Sequence, residues 1–322
     1  MENSGRLLRT ALLIVVVVLA GTLLFVLLQP DEDGRTEVSR DDLVFIHHSV
    51  GANWLADGLD AALLAKPYVD ERNDIYYGTV LPADSGRPNS LGDVPGDLTD
   101  MHHWILWFND YLDSVKTYHA YDSRVDRTLN RIGLAPETGT FNRIVIFKSC
   151  YPNSHITGDG VEPGDPFSAE KTLANYQAIF RHPAGPGQTY TRDGYTYRPL
   201  EEIFAANADV LFIFVTPPPL HYGPADATDD ASAARARTFA NWLTEEWLPA
   251  YDEAHPGLNN VAIFDLFDVL ANPADDAAHP NRLQAAYGGD SGDSHPNAAG
   301  NEAATALFAS FLDRVWEQSG VR

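Results

Sequence analysis

The chain is poor in cysteine and in basic residues. Cys150 is the only cysteine among its 322 residues, which excludes an intramolecular disulfide and a zinc site made of several thiolates. Lysine and arginine together number 22, against 45 aspartates and glutamates, and the formal net charge is −23. Because binding to nucleic-acid phosphates requires a basic face, we do not expect nucleic acid as a partner. The acidic composition fits a soluble surface or adaptation to high salt.

The sequence also lacks an internal repeat, which argues against solenoid and propeller architectures. Hydrophobic residues make up 44% of the chain, enough to build a full core, so global disorder is not expected. The length fits one large domain or two small ones.

An 18-residue apolar run extends from Ala11 to Leu28, preceded by Arg6 and Arg9. Its length predicts one transmembrane helix, and the flanking arginines predict a cytoplasmic N-terminus. A cleaved signal peptide is the alternative, with a cleavage site at Val18-Leu19-Ala20. We favour the anchor, since the apolar part of a signal peptide is usually shorter.

The anchor divides the chain into three parts. Residues 1–30 are predicted to form the cytoplasmic N-terminus and membrane anchor, and the polar residues 31–42 a tether. Residues 43–322 then form the functional domain. The predicted location is the cell membrane, with a single pass and this domain outside the cytoplasm.

Apolar runs typical of strands alternate with helical patterns through the domain. This alternation predicts a flavodoxin-like, three-layer α/β/α fold with a five-stranded parallel sheet. The predicted strands are Leu43–His48, Asp74–Val80, Arg143–Ser149, Asp209–Thr216 and Asn260–Leu266. The predicted helices are Trp54–Leu64, Asp100–Leu112, Tyr121–Ile132, Ser168–Arg181, Leu200–Asn207, Ala231–Tyr251 and Ala298–Trp316.

Polar residues follow several of these strands. Ser49 comes directly after the first strand, Asn153 lies in the turn after the third, and His295 stands just before the last helix. Because a parallel sheet gathers the carboxyl ends of its strands at one edge, Ser49 and His295 can meet there. A serine and a histidine brought together form a nucleophile and its base. The simpler alternative is that both residues only cap helices.

These blocks resemble the SGNH (GDSL-like) hydrolase superfamily, over the span from Leu43 to Trp316 in strand order. Ser49 matches the nucleophile of that family, and Asn153 matches its oxyanion-hole asparagine. The block Asp293-Ser294-His295-Pro296-Asn297 matches its acid/base motif. The resemblance implies acyl transfer in which His295 takes the proton of Ser49 and Asp293 orients the imidazole.

The first and last blocks also depart from the family pattern. His47-His48-Ser49-Val50 stands where the family has Gly-Asp-Ser-Leu. The usual aspartate lies three residues before the histidine, where this chain has Gly292. Asp293 lies two residues before it, a spacing that resembles the polysaccharide O-acetyltransferases of this fold. Asp290 remains an alternative partner for His295.

The oxyanion-hole glycine is expected in the loop after the second strand. We predict Gly92 for this role, with Gly86 and Gly96 as alternatives. His48 is assigned to the same oxyanion or substrate-binding set. No Gly-x-Ser-x-Gly motif surrounds Ser49, so the nucleophile elbow of α/β-hydrolases is excluded.

The sequence thus predicts a membrane-tethered, extracytoplasmic serine esterase without metal or cofactor. Its expected substrate is a small-molecule or glycan ester, such as an acyl or acetyl ester of a carbohydrate or envelope glycan. The alternatives are a polysaccharide O-acetyltransferase and a non-catalytic carbohydrate-binding protein of the same fold. A metal hydrolase using His48, Asp293 and His295 is a further alternative. Consecutive strand residues point to opposite faces, so His47 and His48 are not expected to chelate one ion together.

Overall fold

Five parallel strands form the central sheet, in the order β2-β1-β3-β6-β7. Counted within this sheet alone, the order is 2-1-3-4-5, which is the flavodoxin-like arrangement. A two-stranded antiparallel hairpin, β4–β5, lies outside it. The strands are β1 Asp41–Ile46, β2 Val69–Ile75, β3 Asn142–Lys148, β4 Tyr190–Arg192, β5 Tyr195–Tyr197, β6 Leu211–Val215 and β7 Val261–Phe264.

Ten α-helices connect and cover the strands in the described part of the chain. They are α1 Ser49–Trp54, α2 Asp60–Leu64, α3 Trp104–Asp110, α4 Leu112–Lys116, α5 Leu173–Phe180, α6 Leu200–Ala205, α7 Asp230–Asn241, α8 Leu248–Ala254, α9 Leu266–Leu270 and α10 Ala298–Ser319. A kink at Asp57 and Gly58 separates α1 from α2. A short π-helical segment lies at Trp242–Trp247, and 3₁₀ turns lie at Pro95–Asp97, Met101–His103, Tyr151–Ser154 and Ala285–Tyr287.

This computed structural model describes residues 41–87, 90–119, 141–223 and 229–321. Three predicted segments lie outside these residues: the transmembrane helix, nearly all of the tether, and the helix Tyr121–Ile132. Within them, no helix combines the length and the apolar character that a bilayer crossing requires.

The predicted five-stranded parallel sheet is confirmed, but two element boundaries near the site differ. The first helix begins at Ser49 rather than at Trp54, and the chain kinks between α1 and α2 at Gly58, whose φ of 119° suits glycine. The second strand is Val69–Ile75 rather than Asp74–Val80. This strand lies at the sheet edge and has polar residues in its first half, so its apolar pattern is weak.

Two hydrophobic layers cover the two faces of the sheet. One layer contains the predicted aromatic helix, and its Trp104 and Trp107 are completely buried, as expected for core packing. The other layer packs α1 and α10 over the sheet through Trp54 and Phe308. The Trp54 indole also donates to Thr305 Oγ1 over 2.9 Å. The helix that begins at Ser49 is therefore fixed to the helix that follows His295.

Candidate active site

Ser49, His295 and Asp293 form a continuous hydrogen-bonded chain. Ser49 Oγ lies 2.8 Å from His295 Nε2, and His295 Nδ1 lies 2.8 Å from Asp293 Oδ1. The same carboxylate oxygen accepts the His295 backbone N–H over 3.1 Å. The structure thus brings together the three residues that the sequence predicts as nucleophile, base and orienting acid. This is the geometry required for activating a serine hydroxyl.

The location of the triad follows from the sheet order. Strand order reverses between β1 and β3, and open α/β sheets bind ligands at such a switch point. Ser49 follows β1, and the turn Tyr151–Ser154 follows β3. His295 arrives from the loop before α10, whose Asn297 caps the helix by accepting the Gly300 N–H over 3.0 Å. The cap fixes where this loop meets the sheet edge.

Asp293 is the aspartate that contacts His295, and its side chain is 61% exposed. Partial burial acts to raise the pKa of Asp293, but the hydrogen bonds from the His295 ring and backbone amide outweigh it and lower that pKa. Asp293 is therefore ionised at neutral pH and can hold a proton on Nδ1 of His295. The alternative Asp290 is exposed and has no hydrogen bond or ion pair to His295.

His47 has a structural position beneath the site. Its ring is completely buried, with Nε2 against the Asp74 carboxylate and Nδ1 2.8 Å from the His48 carbonyl oxygen. It stacks on Tyr76 with ring centroids 5.5 Å apart. A side chain at Gly51 would collide with it, because an added Cβ would lie 2.5 Å from His47 Cβ. His47 therefore fixes the backbone before Ser49, at His48, and after it, at Gly51.

His48 lies beside the nucleophile, next to Cys150 and Tyr77. Its Nδ1 is 2.9 Å from the Tyr77 hydroxyl, and the two rings are 3.8 Å apart. Cys150 Sγ lies 3.4 Å from Ser49 Oγ. Burial acts to raise the pKa of the Cys150 thiol, but interactions with His48, Lys148, Ser49 and the Val50 amide lower that pKa to about 7. The Cys150 thiol is thus a second polarisable group in contact with Ser49.

Asn153, the predicted oxyanion donor, is buried and already donates elsewhere. Its Nδ2 lies 2.8 Å from Asp100 Oδ1 and 3.3 Å from the Cys150 carbonyl oxygen. Its Oδ1 accepts the Met101 N–H over 3.0 Å. In this arrangement Asn153 joins the turn after β3 to the turn that begins α3. Donation to an oxyanion would require it to exchange one of these bonds.

The glycines predicted for the oxyanion hole do not contact the triad. Gly92 and Gly86 lie in the loop after β2 with positive φ values of 77° and 69°. The Gly96 N–H donates to the Thr79 carbonyl over 3.3 Å. Since β2 ends at Ile75, the first glycine after it is Gly78, whose N–H donates to Asp97 Oδ1 over 2.7 Å. Gly78 was not among the candidate glycines, because it lay inside the predicted second strand.

A metal-binding set of His48, Asp293 and His295 is not assembled. In the described ranges, groups of three potential ligands with all atoms within 4.8 Å occur at two other places. One is Asp100 with His102 and His103, next to Asn153. There Asp100 Oδ1 accepts from Asn153, and His103 Nδ1 accepts the Asp100 N–H over 3.1 Å. Local hydrogen bonds thus already use Asp100 Oδ1 and His103 Nδ1.

The chain is similar in structure to two solved bacterial proteins. One is a proposed acylhydrolase from Bacteroides fragilis, at 14% identity and a TM-score of 0.41, covering 89% of this chain and 99% of the other. The other is a GDSL-like lipase from Bacteroides thetaiotaomicron, at 12% identity and a TM-score of 0.41, covering 85% and 88%. No protein-family model matches the chain. No curated protein matches its sequence either. The assignment of the site therefore depends on the geometry of the chain's own residues.

Two tyrosines that sequence reasoning did not assign to the site flank the triad. Tyr151 packs edge-on against the His295 ring, with centroids 4.9 Å apart. Tyr77, which is 49% exposed, packs against His48. Tyr151 follows the predicted third strand, and that position was the available signal. Tyr77 follows β2 in the structure but lay inside the predicted strand Asp74–Val80. Without the correct end of β2, Tyr77 could not be separated from the strand itself.

Proposed function

We propose that the chain is a serine ester hydrolase of the SGNH type, with Ser49 as nucleophile, His295 as base and Asp293 as orienting acid. The observation that carries the proposal is that His295 bridges the other two residues, with 2.8 Å on each side. A helix-capping role does not explain this arrangement. Neither Ser49 nor His295 caps a helix through its side chain; Asn297 caps α10.

In the proposed reaction, Ser49 Oγ attacks the ester carbonyl carbon while His295 Nε2 takes the hydroxyl proton. The tetrahedral intermediate collapses, the carbon–oxygen bond to the alcohol breaks, and His295 returns the proton to the leaving alkoxide. Water then attacks the acyl-serine, with His295 again as base, and the acid is released. Asp293 keeps the proton on Nδ1, so that Nε2 is available for each transfer.

The oxyanion requires N–H donors near Ser49. Ser49 is the first residue of α1, so its own N–H has no acceptor within that helix. It is the first donor in the proposal, with Asn153 as a second donor after an exchange of hydrogen bonds. The loss of one such donor typically raises the barrier by about 2.7–4 kcal/mol.

We propose a small acyl or acetyl ester of a carbohydrate as substrate. Support comes from the exposed Tyr77 ring and from Tyr151 beside His295, because sugar rings pack well on aromatic faces. The formal charge of −23 disfavours strongly anionic substrates. The spacing of Asp293 and His295 favours an O-acetyltransferase as the second candidate, in which a sugar hydroxyl replaces water in the second step.

The test is hydrolysis of p-nitrophenyl acetate by the full-length protein. We expect Ser49→Ala to lower kcat by about 10³-fold or more, since removal of a triad serine leaves only the contribution of the surrounding site. Ser168→Ala is the matched control, because the Ser168 hydroxyl accepts only the nearby Glu170 N–H among the described contacts.

Equal rates for the wild type and Ser49→Ala would contradict the proposal. Loss of activity with a chelator but not with Ser49→Ala would favour metal-dependent hydrolysis. Mass analysis after adding an oligosaccharide separates the two serine reactions: an acetylated sugar indicates transfer, and free acetate indicates hydrolysis.

We further propose that residues 1–30 tether this domain to a membrane, with the domain outside the cytoplasm. The support is the apolar run from Ala11 to Leu28 with Arg6 and Arg9 before it. After cell fractionation, the full-length chain should stay in alkali-washed membranes, whereas a chain lacking residues 1–30 should be soluble. Release of the full-length chain by alkali would contradict the tether.

A further inference from the structure

Asp42, Glu71 and His119 meet at the end of the sheet opposite the triad. Asp42 stands at the start of β1, and Ser49 follows the other end of that strand. Glu71 belongs to the neighbouring strand β2, and His119 follows α4. One ligand atom from each of the three residues lies within 4.8 Å of the others. Two strands and the segment after α4 therefore place two carboxylates and one imidazole close together.

The spacing of these atoms does not fit direct hydrogen bonds. His119 Nδ1 lies 3.6 Å from Asp42 Oδ2 and 3.6 Å from Glu71 Oε2, which is too long for either to be one. Ligand atoms about 2.0–2.2 Å from a tetrahedral zinc ion are separated by roughly 3.3–3.6 Å. The two separations from His119 Nδ1 match edges of such a tetrahedron.

Asp42 provides an independent indication of a ligand. Its side chain is 6% exposed, and Oδ2, the atom facing His119, has no hydrogen-bond partner. A buried carboxylate oxygen without a hydrogen bond carries an uncompensated desolvation cost. A cation at this point would compensate the carboxylate.

We propose that Asp42, Glu71 and His119 form a binding site for a divalent transition-metal ion of the Zn²⁺ class. Zinc takes carboxylate oxygens and imidazole nitrogens together, whereas calcium and magnesium prefer oxygen ligands alone. Two carboxylates and a neutral imidazole balance the charge of the ion. Glu71 is half exposed, which leaves the fourth position open to water.

The site has a structural role in this proposal. The ion joins the first strand, the edge strand and the segment after α4. It therefore fixes the start of β1 at the point where the domain begins. Binding to the folded chain alone stabilises the fold in proportion to the free metal concentration.

The experiment measures zinc binding to the full-length protein by chelator competition after removal of bound metal. We expect one tight site, with affinity at least about 10-fold weaker in Asp42→Asn and in Glu71→Gln. Asp275→Asn is the matched control, because Asp275 is an exposed carboxylate in the loop after α9. His102→Gln tests whether the cluster at Asp100 binds the ion instead. Neither control should change the affinity.

Because Asp42 is buried, Asp42→Asn can fail to fold, and a second measurement therefore uses Glu71→Gln. Glu71 is half exposed, so Glu71→Gln should keep the wild-type circular dichroism spectrum. Cobalt in the site should give the strong visible absorption of a tetrahedral ion, and Glu71→Gln should weaken it. Absence of zinc binding by the wild type, or equal affinity in Glu71→Gln and wild type, would overturn the proposal. Loss of binding in His102→Gln alone would also overturn it.

Discussion

Asp293 orients His295 from the protein surface, with most of its side chain in solvent. Replacement by asparagine removes the charge that favours a proton on Nδ1, so part of the imidazole takes the wrong tautomer. We expect Asp293→Asn to lower kcat about 10²-fold. This is less than the roughly 10⁴-fold loss known for a buried triad aspartate, since water can partly replace an exposed carboxylate. Steady-state hydrolysis of p-nitrophenyl acetate measures the effect.

Asp290→Asn is the control for this prediction, because Asp290 has the same charge in the same loop without a contact to His295. It should keep wild-type kcat. A larger loss in Asp290→Asn than in Asp293→Asn would assign the orienting role to Asp290.

Lys148 is completely buried beneath the turn that carries Cys150, with Nζ 2.9 Å from the Ser149 carbonyl oxygen. Burial lowers its pKa from 10.5 to about 8. The folded state therefore binds fewer protons than the unfolded state between pH 8 and 10.5, and the stability contribution of Lys148 rises with pH across that window. Below pH 8 the fold carries the full cost of a buried charge.

We expect Lys148→Met to raise the free energy of unfolding at pH 7 by about 1–3 kcal/mol. The advantage over the wild type should shrink as the pH rises towards 10. Urea denaturation at pH 7 and pH 9.5 measures both effects, with Lys171→Met as a control on the partly exposed surface. A loss of stability at pH 7, or an equal advantage at both pH values, would be inconsistent with a buried ammonium group.

At the scale of elements, the short helix α1 depends on the contact between Gly51 and His47. An added Cβ at Gly51 would lie 2.5 Å from His47 Cβ, and the bond to Asp74 prevents His47 from moving away. We expect Gly51→Ala to lower the stability by about 1–3 kcal/mol and to shift the start of α1. Because Ser49 begins this helix, kcat should fall as well. Thermal unfolding and hydrolysis assays measure the two effects.

Gly58→Ala separates the two effects of this prediction. An alanine there meets no atom within 4 Å, but it is strained by the φ of +119°. It should lose stability while keeping kcat near the wild-type value. Equal losses of kcat in Gly51→Ala and Gly58→Ala would contradict this prediction, because the loss would then follow from lower stability and not from a displaced Ser49.

The elements could be predicted from sequence where the apolar pattern is strong. The buried strands β1, β3, β6 and β7 were placed within a few residues, because their side chains are buried on both faces. β2 was shifted, since an edge strand with polar residues lacks that pattern. Because of this shift, Tyr77 and Gly78 lay inside the predicted strand, and the candidate oxyanion glycines were sought only in the loop after it. Local patterns do not show which loop residues a turn brings to the sheet edge.

At the scale of the whole molecule, the sheet order determines which residues meet at the site. Parallel strands in the order 2-1-3-4-5 bring Ser49 and His295 together although they are 246 positions apart. The alternation of strands and helices predicted this meeting, and the family resemblance predicted the roles. The hydrogen bonds of Asn153 and the position of His47 depend on side-chain packing across three elements, which a linear pattern does not contain.

The triad and the proposed metal site lie at opposite ends of the sheet. The triad lies at the carboxyl ends of the strands, and the proposed metal site lies at the start of β1. Variants of Asp42 or Glu71 should therefore change metal binding without removing the nucleophile, and the two proposals can fail independently.

In the proposed reaction, His295 and Asp293 activate Ser49 as a nucleophile. The most direct test is to treat the full-length protein with a fluorophosphonate, which phosphonylates activated serines, and to locate the adduct by peptide mass spectrometry. We predict a single adduct on Ser49, absent in Ser49→Ala and formed far more slowly in His295→Ala. An adduct on Cys150 instead, or no adduct on the folded wild-type protein, would contradict the account.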